Sequence, residues 1–299
     1  MKLYMVNYQN KNLLAIASKR EKFIVPGVLE NCPENFKTLD SFLNFEKGDL
    51  RKLQDFINSS KTEDVTIAKN KILPPILKTP QNIMCMGLNY EDHIKESEKV
   101  FHKDIKRPKH PIIFTKSSFS INSPFGEIPL RKDVSLELDW ESELALVIGK
   151  PGIHIEKEDA YNHVFGYMVL NDISARDIQR NHKQFFLGKS LTGACPIGPC
   201  IVSKDEIKDP HNLNISCKVN NITKQNSNTR HQIFDIPTQI EAISKSTYLA
   251  TGDIIATGTP SGVGFARTPP EFLKDGDIVE CEIESIGKII NKVVEQSYQ

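Results

Sequence analysis

The stretch LDWESELALVIG, Leu138–Gly149, decides how this chain is read. Leu144, Ala145, Leu146, Val147 and Ile148 give it the character of a buried strand, yet Glu141 and Glu143 sit in it one residue apart. Side chains on a strand alternate faces with period two. Glu141 and Glu143 therefore share a face with Ala145 and Val147, while Leu138, Trp140, Ser142 and Leu144 share the other. If the Ala145 and Val147 face is interior, both carboxylates point inward. Burying two like charges a strand step apart is very unfavourable unless something neutralises them. A divalent cation is the simplest neutraliser, because hard cations take carboxylate oxygens. Against this, Glu137 and Asp139 continue the alternation, so a solvated acidic edge accounts for the stretch equally well.

A third acid shifts the balance. VFGYMVLND closes an apolar run at Asp172 and is followed by ISARD. An acid at the C-terminal end of a buried strand commonly faces a site. Glu141, Glu143 and Asp172 together make an open all-oxygen set suited to Mg²⁺ or Mn²⁺, with Ca²⁺ also allowed. Asp172 followed by Ser174 also reads as a helix or turn cap.

Further along, GLNYEDHIKESE (Gly87–Glu98) reads as a short helix, with Asn89 as N-cap and Asp92 three residues on. On that helix His93 and Glu96 fall on one face. An imidazole oriented by a carboxylate is a standard general base, although charged helices often carry such pairs merely in solvent. Lys189 lies between Gly188 and Ser190 in a Gly/Pro-punctuated loop, where it would bind a carboxylate or protonate an enolate or simply be solvated. Arg176 and Gln179, in SARDIQ, are open in the same way. ATGTPSGVG (Ala256–Gly264) lacks the spacing and lysine of a P-loop. Thr257 or Thr259 could still offer a hydroxyl, and the loop an N–H, to a small acid.

The whole chain has 299 residues, enough for one large domain or two. Lys+Arg and Asp+Glu both count 38, so nothing in the charge favours nucleic acid or an anionic membrane. No apolar run spans a bilayer, and MKLYMVNYQNKNLLAIASKR holds no signal-peptide apolar core. A cytoplasmic protein with a small-molecule ligand is the expectation. The 6 cysteines form no metal-binding spacing and read as reduced, mostly buried thiols.

LYMVNY and LLAIAS flank QNKN as a hairpin. Helical patterns cover Thr38–Leu43 and Gly48–Ser59. The turn signal LPPILKTP places a boundary near Leu73–Gln81. Beyond it strands dominate: NIMCMGLNY, PIIFTKS, LALVIGK, VFGYMVLND, IGPCIVS, NISCKVN, DIIATG and DIVECEIESIG. One helix follows IPTQIEAISKSTYLATGD to about Ser246. Many strands with few helices predict a mixed sheet or barrel-like core, not a doubly wound sheet.

Five stretches, in order, resemble the fumarylacetoacetate hydrolase family: GLNYEDHIKE, DWESELALVIGK, GYMVLNDISARDIQ, FFLGKSLTGACPIGP and DIIATGTPSGVG. The resemblance runs from about Ile83 to the C-terminus. It implies Glu141, Glu143 and Asp172 as ligands of Mg²⁺ or Mn²⁺, with Glu137 and Asp139 as bystanders. It implies His93 and Glu96 as a catalytic dyad, on a segment that often acts as a lid, and Lys189 as the active-site lysine. Gln179, Thr259 and Arg176 match substrate-contacting positions. The implied fold is α+β, mainly β: a mixed β-sandwich roll over residues 76–299, behind a small N-terminal α/β domain over residues 1–75. A homodimer is expected. The implied chemistry passes through a metal-stabilised enolate of a small 2-oxo acid. EKEDAYNHVFGYMVLNDISARDIQRNHKQFFLGKSL looks most like bacterial members that decarboxylate or tautomerise oxaloacetate. Acylpyruvate hydrolysis, ureidoglycolate lysis and a catalytically idle metabolite-binding role are the other readings.

Overall fold

The computed structural model describes residues 1–18, 22–45, 47–101 and 106–297. The expected hairpin forms as β1 (Lys2–Tyr8) and β2 (Lys11–Ala17). Gln9 and Asn10 join them at φ of 50° and 59°, the paired left-handed geometry whose twist suits a two-residue hairpin. The two helical patterns become α1 (Leu39–Phe45) and α2 (Leu50–Ser59), the latter capped by the Asp49 side chain on the Arg51 N–H.

Next come β3 (Ile83–Gly87), α3 (Glu91–Phe101), β4 (Ile112–Lys116) and β5 (Glu127–Leu130). The deciding stretch yields β6 (Ser142–Ile148), after a two-residue strand at Leu138–Asp139. It is followed by β7 (Val164–Asn171), α4 (Arg176–His182) and β8 (Cys195–Ser203). A hairpin of β9 (Asn214–Val219) and β10 (Ile222–Asn228) precedes α5 (Ile236–Ser244). The chain finishes with β11 (Ile254–Ala256), β12 (Ile278–Ile283) and β13 (Gly287–Glu295).

Among the described residues these strands form an 11-stranded sheet, along which β2, β1, β8, β7, β6, β11, β3 and β4 lie side by side, and a 5-stranded sheet in the order β10-β9-β12-β13-β5. Both are mixed: β11 runs parallel to β3, and β13 parallel to β5. This is the α+β, mainly β roll that was expected. The N-terminal hairpin extends the large sheet, with Lys2 opposite Val202 and Leu3 opposite Ile201.

The large sheet is buried on both faces. Leu144, Leu146 and Ile148 of β6 join one apolar cluster with Ile215, Cys217, Val279 and Ile289 of the smaller sheet and with Ile240 of α5. Ala145 and Val147 join the other, with Leu3, Met5 and Leu14 of the hairpin and Phe42 and Leu53 of α1 and α2. Double-sided burial explains why β6 reads as a continuous apolar run. All 6 cysteines are free and, apart from half-buried Cys32, buried.

Candidate active site

Antiparallel pairing brings the acids together. Ser142 lies opposite Asn171 and Glu143 opposite Leu170, so the start of β6 and the end of β7 meet at the same end of these two central strands. The Asp172 N–H donates to the Glu141 carbonyl at 2.8 Å. Glu141, Glu143 and Asp172 are 4%, 1% and 0% exposed, so the solvated-edge reading of this stretch is excluded. One carboxylate oxygen from each lies within 4.8 Å of the others. Glu137 is half-buried and forms a two-pronged pair with Arg180 at 2.6 and 2.7 Å. Asp139 is fully buried away from this cluster of three, accepting from Gly264 and Phe265 N–H and from Arg176 Nε.

Buried cations answer this charge. Lys189 Nζ donates to Glu141 Oε2 at 2.6 Å and to Asp172 Oδ2 at 2.8 Å. Arg176 Nη2 reaches Glu141 Oε1 at 2.6 Å, and its Nη1 donates to Gln179 Oε1 at 3.1 Å. The Arg176 fork is thus committed to protein partners. Burial raises the Glu141 pKa, but the adjacent charges of Lys189 and Arg176 outweigh it and hold the group at about 2. Glu143 goes the other way. Burial, then the like charges of Asp172 and Glu141, push its pKa well above the ordinary carboxylate value. Lys189 is held above its usual value: burial lowers it, but Asp172 and Glu141 outweigh that.

Sequence reasoning missed Lys116, the last residue of β4. It is 0% exposed and lies 2.7 Å from Asp172 Oδ1. Its ammonium also donates to the carbonyls of Ile173 and Lys189. The available signal was a lysine closing the apolar strand PIIFTK. With Lys116, Lys189 and Arg176, three buried cations face the four buried carboxylates Asp139, Glu141, Glu143 and Asp172. Among the described residues Glu143 alone of these four acids has no cation partner, and its raised pKa reflects that. Three convergent carboxylates, one of them without a cation partner, fit a hard divalent cation.

The glycine-rich loop after β11 serves the protein's own acids. Gly258 N–H donates to Glu143 Oε2 at 2.8 Å and Gly262 N–H to Glu96 Oε2 at 2.8 Å. Gly262 has φ +101°, and a Cβ there would lie 2.1 Å from the Lys224 carbonyl oxygen. Only glycine lets the loop approach that closely. Thr259 Oγ1 donates to the Ser142 carbonyl and accepts from Gln225.

On α3, His93 Nδ1 meets Glu96 Oε1 at 2.7 Å. His93 is 7% exposed, so this is not a solvated surface pair. Asn89 departs from the capping role read from sequence. It is fully buried, its amide donating to the Phe234 and Thr257 carbonyls and accepting from the Phe234 N–H. It pins the loop before α5 instead of the start of α3.

A cavity of about 590 Å³ gathers His93, Glu141, Glu143, Arg176, Gln179, Lys189 and Thr259 along its wall. Asp172 is fully buried, its Oδ2 covered by Lys189. The arrangement offers an acidic cation cradle, a fixed ammonium and an oriented imidazole in one space.

Comparison with known proteins agrees with this geometry. Residues 82–294 match the family model described as Fumarylacetoacetate (FAA) hydrolase C-terminal. Oxaloacetate tautomerase YisK of Bacillus subtilis (strain 168) is 46% identical over 228 residues, 76% of this chain and 74% of that protein. Oxaloacetate tautomerase Fahd2a, mitochondrial, of Rattus norvegicus is 50% identical over 223 residues, 74% of this chain and 69% of that one. The solved structure of a fumarylacetoacetate hydrolase (EaFAH) from psychrophilic Exiguobacterium antarcticum matches with a TM-score of 0.82 at 33% identity, covering 99% of this chain and 100% of that one. The motifs, the fold and these matches converge: the chain belongs to the fumarylacetoacetate hydrolase family.

Proposed function

We propose that this protein is a divalent-metal-dependent enzyme that interconverts the enol and keto forms of oxaloacetate. The observation that carries the reading is that Glu141 and Glu143, which cluster with buried Asp172, line the same cavity as His93, whose Nδ1 is held by Glu96. The names of the two tautomerase relatives support the choice of substrate.

Glu141, Glu143 and Asp172 would hold the ion, Mg²⁺ or Mn²⁺ on their all-oxygen donor set. Such an ion supplies Lewis-acid polarisation of the substrate's carboxylate and 2-oxo oxygens. The chain's own groups divide the rest of the work. Lys189, kept protonated by its two carboxylate partners, places a fixed positive charge where enolate character develops. His93 carries the moving proton: with Nδ1 turned to Glu96, Nε2 is left to exchange it with substrate carbon C3. Glu96 is itself held by the Gly262 N–H, which fixes the tautomer and the ring plane. Gln179 and Thr259 would shape the wall beside the substrate's head group. A homodimer in the cytoplasm belongs to the same reading. Exposed Phe186 and Leu187, beside Val134 at a surface groove, support a self-association face.

The test is conversion of enol-oxaloacetate by Mn²⁺-loaded protein with and without EDTA, measured above the metal-only background. Pyruvate formation is followed separately, and acetylpyruvate is run in parallel. EDTA-sensitive ketonisation without pyruvate is the expected result. Pyruvate release would replace tautomerisation by decarboxylation, and acetylpyruvate cleavage would replace it by hydrolysis.

A further inference from the structure

Aromatic side chains line the cavity beside its charged groups. Phe114 stands beside Lys189, whose ammonium lies 5.1 Å from its ring centroid. Phe185 meets Phe114 edge to face, centroids 5.4 Å apart. Phe265 stands beside the two other polar groups of the reaction centre. The Arg176 guanidinium lies 4.5 Å from its centroid, and the His93 ring meets it edge-on at 6.4 Å. Phe272 and the partly exposed Ile112 extend this wall. Aromatic rings thus flank the charged groups themselves.

The cations lining the cavity are largely committed. Lys189 serves Glu141 and Asp172, Arg176 serves Asp139 and Glu141, and Arg180 serves Glu137. Lys183 stands exposed at the rim. A second substrate carboxylate therefore meets few unengaged partners near the acids, whereas a flat apolar group meets ring edges and faces. The volume of about 590 Å³ lies within the range of pockets that enclose drug-sized ligands, roughly 300–1,000 Å³.

We propose that the substrates of this site include 2-oxo acids bearing a flat apolar group on C3, the 3-aryl-2-oxo acids, and that the protein interconverts their enol and keto forms. This rests on reading the site as a 2-oxo acid tautomerase. The head group, common to both substrate classes, faces the acids and Lys189. The aryl group lies against Phe114, Phe185 and Phe265, where edge-to-face and offset contacts are favourable. In ketonisation the enol O–H proton leaves oxygen, the C2=C3 electron pair takes a proton at C3, and C2–O becomes the carbonyl. Atoms and electrons balance without a co-reactant.

The experiment uses enol-phenylpyruvate and enol-oxaloacetate as parallel probes of the full Mn²⁺-loaded chain. Calorimetric Mn²⁺ binding confirms that the site is assembled in every variant. Saturable, EDTA-sensitive ketonisation of phenylpyruvate above the Mn²⁺-only background is expected. Phe185→Ala and Phe265→Leu should each lower the phenylpyruvate-to-oxaloacetate ratio of kcat/KM by roughly three- to tenfold. Turnover of oxaloacetate alone, even with phenylpyruvate competing, overturns the inference and leaves the oxaloacetate reading standing. An unaltered ratio in both variants overturns the assignment of the aromatic wall. Turnover of neither probe by protein that binds Mn²⁺ overturns the underlying reading, and this inference with it.

Discussion

Lys116 and His93 show what single side chains contribute here. Lys116 lies fully buried against Asp172 Oδ1. Breaking a buried ion pair from one side costs about 3–5 kcal/mol. Lys116→Met is therefore expected to lower the melting temperature of the metal-free protein sharply. The same change leaves the acid cluster more negative, so a divalent cation replaces part of the lost charge. The Mn²⁺-induced rise in melting temperature should then exceed that of the unaltered protein, which thermal unfolding in EDTA and in Mn²⁺ would check. An equal rise in both proteins would mean that Lys116 does not balance the acids. For His93, removal of the proton carrier should lower the ketonisation rate by at least about 10²-fold, the scale of general acid–base catalysis. A His93→Ala variant at full speed, with Mn²⁺ still bound, would leave the imidazole as a wall residue only.

At the scale of elements, the loop after β11 holds the site in register. It delivers Gly258 N–H to Glu143, Gly262 N–H to Glu96 and Gly264 N–H to Asp139. Gly262→Ala forces a Cβ against the Lys224 carbonyl; a strained backbone position of this kind costs about 1–3 kcal/mol. The variant should melt lower and lose kcat more than substrate affinity, because Glu96 loses the N–H that orients it. Steady-state kinetics beside a melting curve would separate the two effects. The start of α5 carries a pH dependence. His211 Nε2 accepts the Ile236 N–H at 3.2 Å, which only an unprotonated nitrogen can do. Burial lowers the His211 pKa, outweighing the opposing pull of Asp235 and Asp209. With the folded pKa below the ordinary value, the unfolded chain takes up the proton first. The stabilisation is therefore complete above about pH 6.5 and is lost as pH falls through the folded-state value. Melting temperatures between about pH 7.5 and 5 should fall faster for the unaltered protein than for His211→Gln. Parallel curves would remove this contribution.

For the whole molecule, the first strands and the site share one sheet and one core. β1 is hydrogen-bonded to β8, and Leu3, Met5 and Leu14 lie in the apolar cluster that holds Ala145 and Val147 beside the acids. Deleting residues 1–75 strips that cluster of its cover and leaves β8 with an open edge. The remaining chain is expected to lose its cooperative melting transition and its Mn²⁺ binding, measured by circular dichroism and calorimetry. A fragment that melts cooperatively and binds Mn²⁺ would show that the roll stands without the hairpin.

Much of this was legible from the chain alone. Strand alternation put Glu141 and Glu143 on one face, the end of an apolar run singled out Asp172, and helical spacing paired His93 with Glu96. Each of these is a short-range pattern, set by residue type and by the period of two or 3.6 that a backbone imposes. The tertiary structure decided what depends on contacts between distant segments. It buried both faces of β6, which a single strand's alternation cannot reveal. It turned Asn89 from a helix cap into a tie to Phe234, 145 residues away. It set Lys116 against Asp172 and Asp139 against Arg176. It closed aromatic rings from three separate segments around the charges. Charge balance in a buried site is settled by which strands lie side by side, and local sequence does not carry that order.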